Sequence, residues 1–507
     1  MDTLQTYDEL PYDSLPLPET QPDFLAALAH LHGFESPDPS RARVLELGCA
    51  SGGNLIPLAN RYPESECVGI ELSRVQAEEG ARFVSRMGLA NVRILHGDLA
   101  ALPSDLGEFD YIIAHGVFSW VPPTVQDALL EVCHQHLAAN GLAYISFNVT
   151  AGWGKLQRLR AALIESSSID LPAPQRYAQA RATLDELALT EADPVVLKEI
   201  VYLKTATPSY LFHEYLAEFN VPVTFADFVA KLDAHGLRYT GEAGPRNAVV
   251  ELENTWGLIP ESMAGRWIEA ETALDQALTT RFRRALVSRS DAPFAQPPCA
   301  NKLVALAFYA DLTSEEEIDL GAHTEQQFVN PSGHTFSVAA PIAKAAMMAL
   351  SMVYPNAVRY DDLYVAAQSV IAEWGVSAES GVAGMQDDAQ FREVLFQLVM
   401  LHGVMPTVSD RKLNSGLDEY PCAQSLARMQ AMMPGWVVSG ARHVAIDLDA
   451  PGRTLLTQMD GSHTLDELTA FMHARLLESG LNQACEQVNA LVQQQLWLFA
   501  RQGLLID

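Results

Sequence analysis

The segment Val44-Leu45-Glu46-Leu47-Gly48-Cys49-Ala50-Ser51-Gly52-Gly53-Asn54 limits what this chain can fold into more than any other feature. A short apolar run ends in a glycine-rich turn. Apolar residues at helical spacing (Leu55, Ile56, Leu58, Ala59) follow it. Glycine accepts left-handed backbone and carries no Cβ, so a strand can turn into a helix there while backbone amides approach a ligand closely. A strand–turn–helix unit of this kind belongs to a parallel sheet covered by helices. The alternation continues downstream. Strands are expected over 67–71, 92–96, 111–114 and 142–148, and helices over 73–87 and 124–138. A helix over 225–235, Gly236 and a strand over 237–240 resume the rhythm, and 282–289 is a candidate last strand. The expected class is α/β with a Rossmann-like sheet. Residues 155–220 are expected as a helical insertion within it, serving as a lid, a dimer contact or plain scaffold.

The residues at the strand ends define the chemistry. A dinucleotide site would need Gly-x-Gly-x-x-Gly, but position 50 is alanine. The order Glu46-x-Gly48-x-x-x-Gly52 instead resembles the first motif of class I S-adenosylmethionine-dependent methyltransferases. Glu71, at the end of the second strand, stands where an acidic residue meets ribose hydroxyls. Asp98 and Leu99 follow the third strand, where that fold sets an Asp against the adenine amino group. The fourth strand delivers His115-Gly116-Val117-Phe118-Ser119-Trp120 to the same edge, and the fifth delivers Asn148-Val149-Thr150-Ala151-Gly152-Trp153. Ligands bind at such strand C-termini. Phe118, Trp120 and Trp153 are therefore candidate linings of an acceptor pocket, with ordinary packing as the rival reading. His134 and His136 are expected at the surface. No residue set reads as a metal site.

Tyr7-Asp8-x-x-Pro11-Tyr12-x-Ser14-x-Pro16, the glycine loop, Asn148…Gly152-Trp153 and Tyr210-Leu211-Phe212-His213-Glu214-Tyr215-Leu216 together resemble methyltransferases that carry a regulatory domain. The rickettsial-type protein lysine methyltransferases that modify outer-membrane proteins are the best-understood members of that group. The resemblance implies a class I core, a dimer-forming helical element and an open cleft facing a protein. It implies S-adenosylmethionine held by Tyr7, Tyr12, Ser14, Glu46, Gly48, Cys49, Ala50, Gly52, Asn54, Glu71, Leu72, Asp98, Leu99 and His115. Trp153, Asn148 and His115 would shape the acceptor side, with His115 a candidate base. The family usually has proline before the Gly-Trp pair, and here Ala151 stands there.

Three nearby prolines (Pro11, Pro16, Pro18) exclude a regular helix from the first two dozen residues, which should run extended across another part of the molecule. Residues 290–298 read as a linker. Beyond it the order strand, helices, returning strand occurs twice, as in winged-helix folds. The third helices carry few basic residues (Arg392 in one, Arg501 at the end of the other), so phosphate contact is not expected. The domains expected are 1–295, 296–430 and 431–507. A net charge of -30 repels nucleic acid and favours a cationic partner such as a lysine-rich protein surface. No apolar run reaches the ~20 residues of a membrane span. The N-terminus lacks the features of a secretion signal, and six scattered cysteines fit reduced thiols in a cytoplasm. The expected activity is methyl transfer to protein lysines by a bacterial homodimer. The alternatives are a small-molecule N- or O-methyltransferase and a cofactor-binding interaction protein.

Overall fold

The computed structural model of the chain describes residues 14–103, 106–168, 170–245, 258–259, 261–263, 265–294, 297–374, 388–413, 418–481 and 484–506. Seven strands form the main sheet: β1 (Arg43–Leu47), β2 (Glu66–Glu71), β3 (Val92–His96), β4 (Phe109–Ala114), β5 (Leu137–Asn148), β6 (Leu237–Glu242) and β7 (Phe282–Arg289). Their order is β3-β2-β1-β4-β5-β7-β6. The first five run parallel, and β7 lies antiparallel between β5 and β6. The strand order reverses between β1 and β4, which opens a crevice at their C-terminal ends.

Side chains alternate across the strands, and both faces are covered. Val44, Tyr111, Ile113, Leu142 and Tyr144 face one core with the helices Pro22–Leu31 and Leu55–Arg61. Leu45, Leu47, Ile112, Ala114, Ala143 and Ile145 face the other, with Pro123–His136 and Phe225–Ala234. His136 belongs to that second layer. Its Nδ1 lies 2.7 Å from the Gly107 carbonyl and the residue is buried, which corrects the surface placement expected for it. His134 is half-buried, with its ring against Gly236.

The helices Leu156–Ser166, Ala173–Thr190, Pro194–Leu203 and Pro208–Tyr215 share a core of their own built on Trp153, Leu163, Leu184, Ile200 and Tyr215. After β7 the chain builds a three-stranded sheet, with Ala307–Tyr309 between Val358–Arg359 and Met405–Thr407. The helices Pro341–Val353, Tyr360–Glu373 and Asp388–Met400 cover it. The helix Tyr360–Glu373 is 14 residues long. Leu363, Ala367 and Ile371 bury one continuous stripe along it.

In the last unit, Cys422–Ala423 pairs antiparallel with Leu505–Ile506. Residues 422–432 therefore pack with the C-terminal helices, and the boundary expected at 430/431 falls inside this unit. Leu465–Glu478 starts with a capping box. Thr464 accepts from the Glu467 amide, and the Glu467 carboxylate accepts from the Thr464 amide.

Candidate functional site

The loop after β1 sits in the crevice. Gly52 has φ +83°, and a Cβ there would lie 2.3 Å from Ile94 Cδ1, so only glycine fits. Ala50 also adopts a positive φ, a conformation that a non-glycine residue holds only when its surroundings fix it. The fixing group is Glu71. Its Oε2 accepts from the Ala50 amide at 2.9 Å and its Oε1 from the Ser73 amide at 2.7 Å. One carboxylate thus anchors the loop and starts the helix Arg74–Met87, in addition to facing the crevice. Cys49 is buried against Gly69, and burial pushes its thiol well above the usual range.

Glu46 is 4 % exposed. Its Oε1 accepts from Asn54 Nδ2 at 2.9 Å, while Oε2 has no hydrogen-bond partner among the described residues. Burial, with the charge of Glu71 adding to it, pushes the carboxyl up to about 8. A buried carboxyl with one unsatisfied oxygen is suited to an ammonium group. At the end of β2, Leu72 is 37 % exposed and presents apolar surface that a purine can cover. Asp98 is exposed and caps the turn Leu99–Ala101, its Oδ1 accepting from the Ala100 amide. Leu99 is half-buried beside it. The residues therefore fit S-adenosylmethionine. Bound there, its α-ammonium would fall to Glu46, its ribose to the region of Glu71, and its base to Leu72, Asp98 and Leu99.

The described part of the N-terminal segment crosses this edge. Ser14 Oγ accepts from the Gly53 amide at 2.7 Å, and the Leu17 amide donates to Asn54 Oδ1 at 2.9 Å. Glu19 pairs with Arg284 of β7 at 2.7 Å. Tyr7 and Tyr12 lie outside the described residues.

On the acceptor side, His115 Nδ1 lies 2.9 Å from the Tyr144 hydroxyl. The Arg284 guanidinium stands close to both groups. Burial, helped by the Arg284 charge, lowers His115 to about 3. The histidine expected as a candidate base is therefore held neutral. Asn148 is buried at the tip of β5. Its Nδ2 donates to Asn220 Oδ1 at 3.1 Å, and Asn220 Nδ2, buried as well, has no partner among the described residues.

The aromatics divide. Phe118 is fully buried between Phe147 and Phe228 in the sheet–helix core and is not a pocket lining. Trp120 is half-buried and meets Trp153 edge-on, with centroids 6.2 Å apart. Trp153 is 2 % exposed, against Tyr215 and beneath the Arg281 guanidinium. It joins the crevice to the inserted helices instead of standing open in a pocket. A Cβ on Gly152 would lie 2.4 Å from Arg281 Cγ, so this glycine is set by close approach. Arg281 in turn pairs with Glu199 at 2.8 Å.

The C-terminal unit also reaches the loop. His443 Nε2 lies 2.7 Å from Asn54 Oδ1. Trp436 stacks on Phe83 at 3.9 Å and donates from Nε1 to Glu79, whose other oxygen accepts from Ser51 Oγ. Sequence reasoning missed Asn220, His443, Trp436, Glu19 and Arg284. None of them stands in a motif, and tertiary packing alone brings them to the site.

Family models match three parts of the chain: a methyltransferase domain at 44–141, a predicted methyltransferase regulatory domain at 207–289, and a PKMT C-terminal winged helix domain at 419–504. Two uncharacterized proteins of Rickettsia prowazekii are similar in sequence. One is 33% identical over 359 residues, 68% of this chain and 65% of the relative, so the chain spans just under two thirds of that relative's length. The other is 34% identical over 232 residues, 45% of this chain and 93% of the relative. The structure of PKMT2 from Rickettsia typhi superposes with a TM-score of 0.83 at 23% identity, covering 98% of this chain and 100% of that one. Its complex with AdoHcy superposes at 0.81. At this identity the likeness establishes a shared fold across all units.

Proposed function

This chain belongs to the class I S-adenosylmethionine-dependent methyltransferases that carry a methyltransferase regulatory domain, and we propose that it methylates lysine side chains of a protein. The observation that carries the lysine reading is the match of residues 419–504 to a winged-helix domain named for PKMT proteins, the protein lysine methyltransferases. The acidic balance of the chain supports it, because a net charge of -30 favours a lysine-rich partner.

When bound, S-adenosylmethionine supplies an electrophilic methyl group on a sulfonium. The chain's part is mainly to bind and align. Glu46 holds the ammonium end, and the loop from Gly48 to Asn54 brings backbone amides close to the ligand. Leu72 and Leu99 cover the base. A lysine acceptor must lose a proton from an amine whose ordinary pKa is ~10.4. Leaving water for a desolvated acceptor site lowers that value. His115, held neutral by burial, orients groups at this edge and takes no proton itself. The homodimer and the cytoplasmic location belong to the same proposal.

The test is incubation with methyl-labelled S-adenosylmethionine and a whole-cell lysate, separated into protein and small-molecule fractions. Label should enter protein and appear as methyl-lysine after hydrolysis. Label in the small-molecule fraction alone overturns the lysine reading.

A further inference from the structure

The strands Val438–Ser439 and Ala445–Ile446 form a hairpin in the C-terminal unit, and its tip is residues 440–444. In a nucleic-acid-binding winged helix such a hairpin would face outward. Here the tip turns inward, and successive residues each meet a different part of the protein. The Ala441 carbonyl accepts from Arg61 of the helix after the cofactor loop. The Arg442 carbonyl accepts from Gln21 Nε2 at 3.1 Å, while its guanidinium lies 4.1 Å over the Tyr309 ring and donates to the Pro355 carbonyl. His443, 2 % exposed and at φ +59°, meets Asn54.

Asn54 is the point of contact with the cofactor loop. Its amide could present either its oxygen or its nitrogen to Glu46, and the surrounding donors decide which. The Leu17 amide and His443 both address Oδ1, which turns Nδ2 toward Glu46 Oε1. The Thr20 hydroxyl lies 3.1 Å from the same oxygen but has a shorter bond, 2.8 Å, to the Leu17 carbonyl. Burial keeps the His443 imidazole neutral, so it has one N–H to give, and an acceptor at 2.7 Å places that proton on Nε2. Without it only the Leu17 amide firmly holds Oδ1, so the orientation that turns Nδ2 toward Glu46 Oε1 loses one of its buried hydrogen bonds and is held less firmly. Trp436 acts at the other end of the loop, through Glu79 on Ser51.

We propose that the hairpin tip of the C-terminal unit is a positioning element of the cofactor site, with His443 fixing Asn54 and, through it, Glu46. The C-terminal unit would then set the affinity for the methyl donor irrespective of any contact with the acceptor. This rests on the loop being the cofactor site, so the wild-type protein is titrated first with S-adenosylhomocysteine by calorimetry. No binding by the wild type would overturn the cofactor reading itself.

With wild-type binding in hand, full-length His443→Phe and His443→Gln are compared. Loss of one buried hydrogen bond should weaken binding about tenfold in His443→Phe. His443→Gln, which keeps an N–H at a similar reach, should return to within about threefold of wild type. Binding by His443→Phe within twofold of wild type overturns the proposal. So does equal impairment of both variants, which would mean a packing role. If His443→Phe is not folded, Trp436→Phe decides. It keeps an aromatic ring against Phe83 and removes the N–H to Glu79. It should weaken binding about threefold or more, and unchanged affinity overturns the proposal.

Discussion

The guanidinium of Arg61 lies 3.0 Å from the carboxylate of Asp23, with both side chains almost wholly buried. The pair stands where the N-terminal helix, the helix after the cofactor loop, the middle unit and the C-terminal hairpin meet. Thr407 Oγ1 also donates to Asp23 at 3.2 Å, and Arg61 bonds the Ala441 carbonyl. One ion pair therefore ties the catalytic sheet to both modules that follow it.

Arg61→Met should destabilise the protein by about 3–5 kcal/mol, because it leaves a buried carboxylate without its partner. Urea unfolding checks this. The pH dependence has a definite sign. Burial alone would raise Asp23, but Arg61 and Arg442 outweigh it and hold the group below the usual carboxylate range. Its contribution is therefore present above about pH 4 and lost as pH falls through the lowered value. In Arg61→Met the burial effect gains weight, so acid unfolding should begin at higher pH. The same onset in both proteins would show that the pair is not the acid-sensitive contact.

Glu46 gives a pH dependence of opposite sign. Its pKa in the folded protein, about 8, lies above the ordinary carboxylate value. In the cofactor-free protein its stabilising contribution is complete below about pH 4 and lost as pH rises through about 8. A bound ammonium favours the ionised carboxylate, so cofactor affinity should rise as pH approaches 8 and level off above it. The rise is at most about tenfold per pH unit. Calorimetry of S-adenosylhomocysteine binding across that range, in buffers of different ionisation enthalpy, should show proton release that Glu46→Gln abolishes. Equal proton release from the variant would assign the titration elsewhere.

The parts legible in the sequence are those set by local pattern. The seven strands, the loop and its acidic partners Glu46 and Glu71 were readable because alternation, glycine spacing and strand ends are local properties. Phe118 stays open between lining and packing in the sequence because an aromatic after a strand reads the same whether it enters the crevice or the core, and its contacts with Phe147 and Phe228 place it in the core. His136 was misplaced because its partner is the Gly107 carbonyl, on another turn of chain. His443 could not be foreseen, since 389 residues separate it from Asn54. The boundary near 430 was missed because the two-residue strand Cys422–Ala423 has no periodicity to read until Leu505–Ile506 pairs with it.

Trp153 should act chiefly through packing. Trp153→Ala empties a site shared with Trp120, Tyr215 and Arg281, and should cost about 3–5 kcal/mol in urea unfolding. Affinity for S-adenosylhomocysteine should stay within about twofold, since none of these partners belongs to the cofactor loop. Trp153→Phe keeps most of the ring contact and should retain methyl transfer within about tenfold. A stable Trp153→Phe protein that binds cofactor normally but transfers no methyl group would return Trp153 to the acceptor site.

His115 should leave no mark on the pH profile of methyl transfer. With a pKa of about 3 it stays neutral throughout the range in which an ordinary histidine titrates. Its Nδ1 is hydrogen-bonded to the Tyr144 hydroxyl, and burial disfavours a second proton on the ring. The rate should therefore rise with pH toward the range of the acceptor amine, without a limb near pH 6–7. His115→Gln can donate from its side-chain amide, whereas His115→Phe cannot. The first should keep more activity than the second, by about tenfold if the donor contributes one hydrogen bond. A limb near pH 6–7 in the wild type that disappears in His115→Gln would make the histidine a working base.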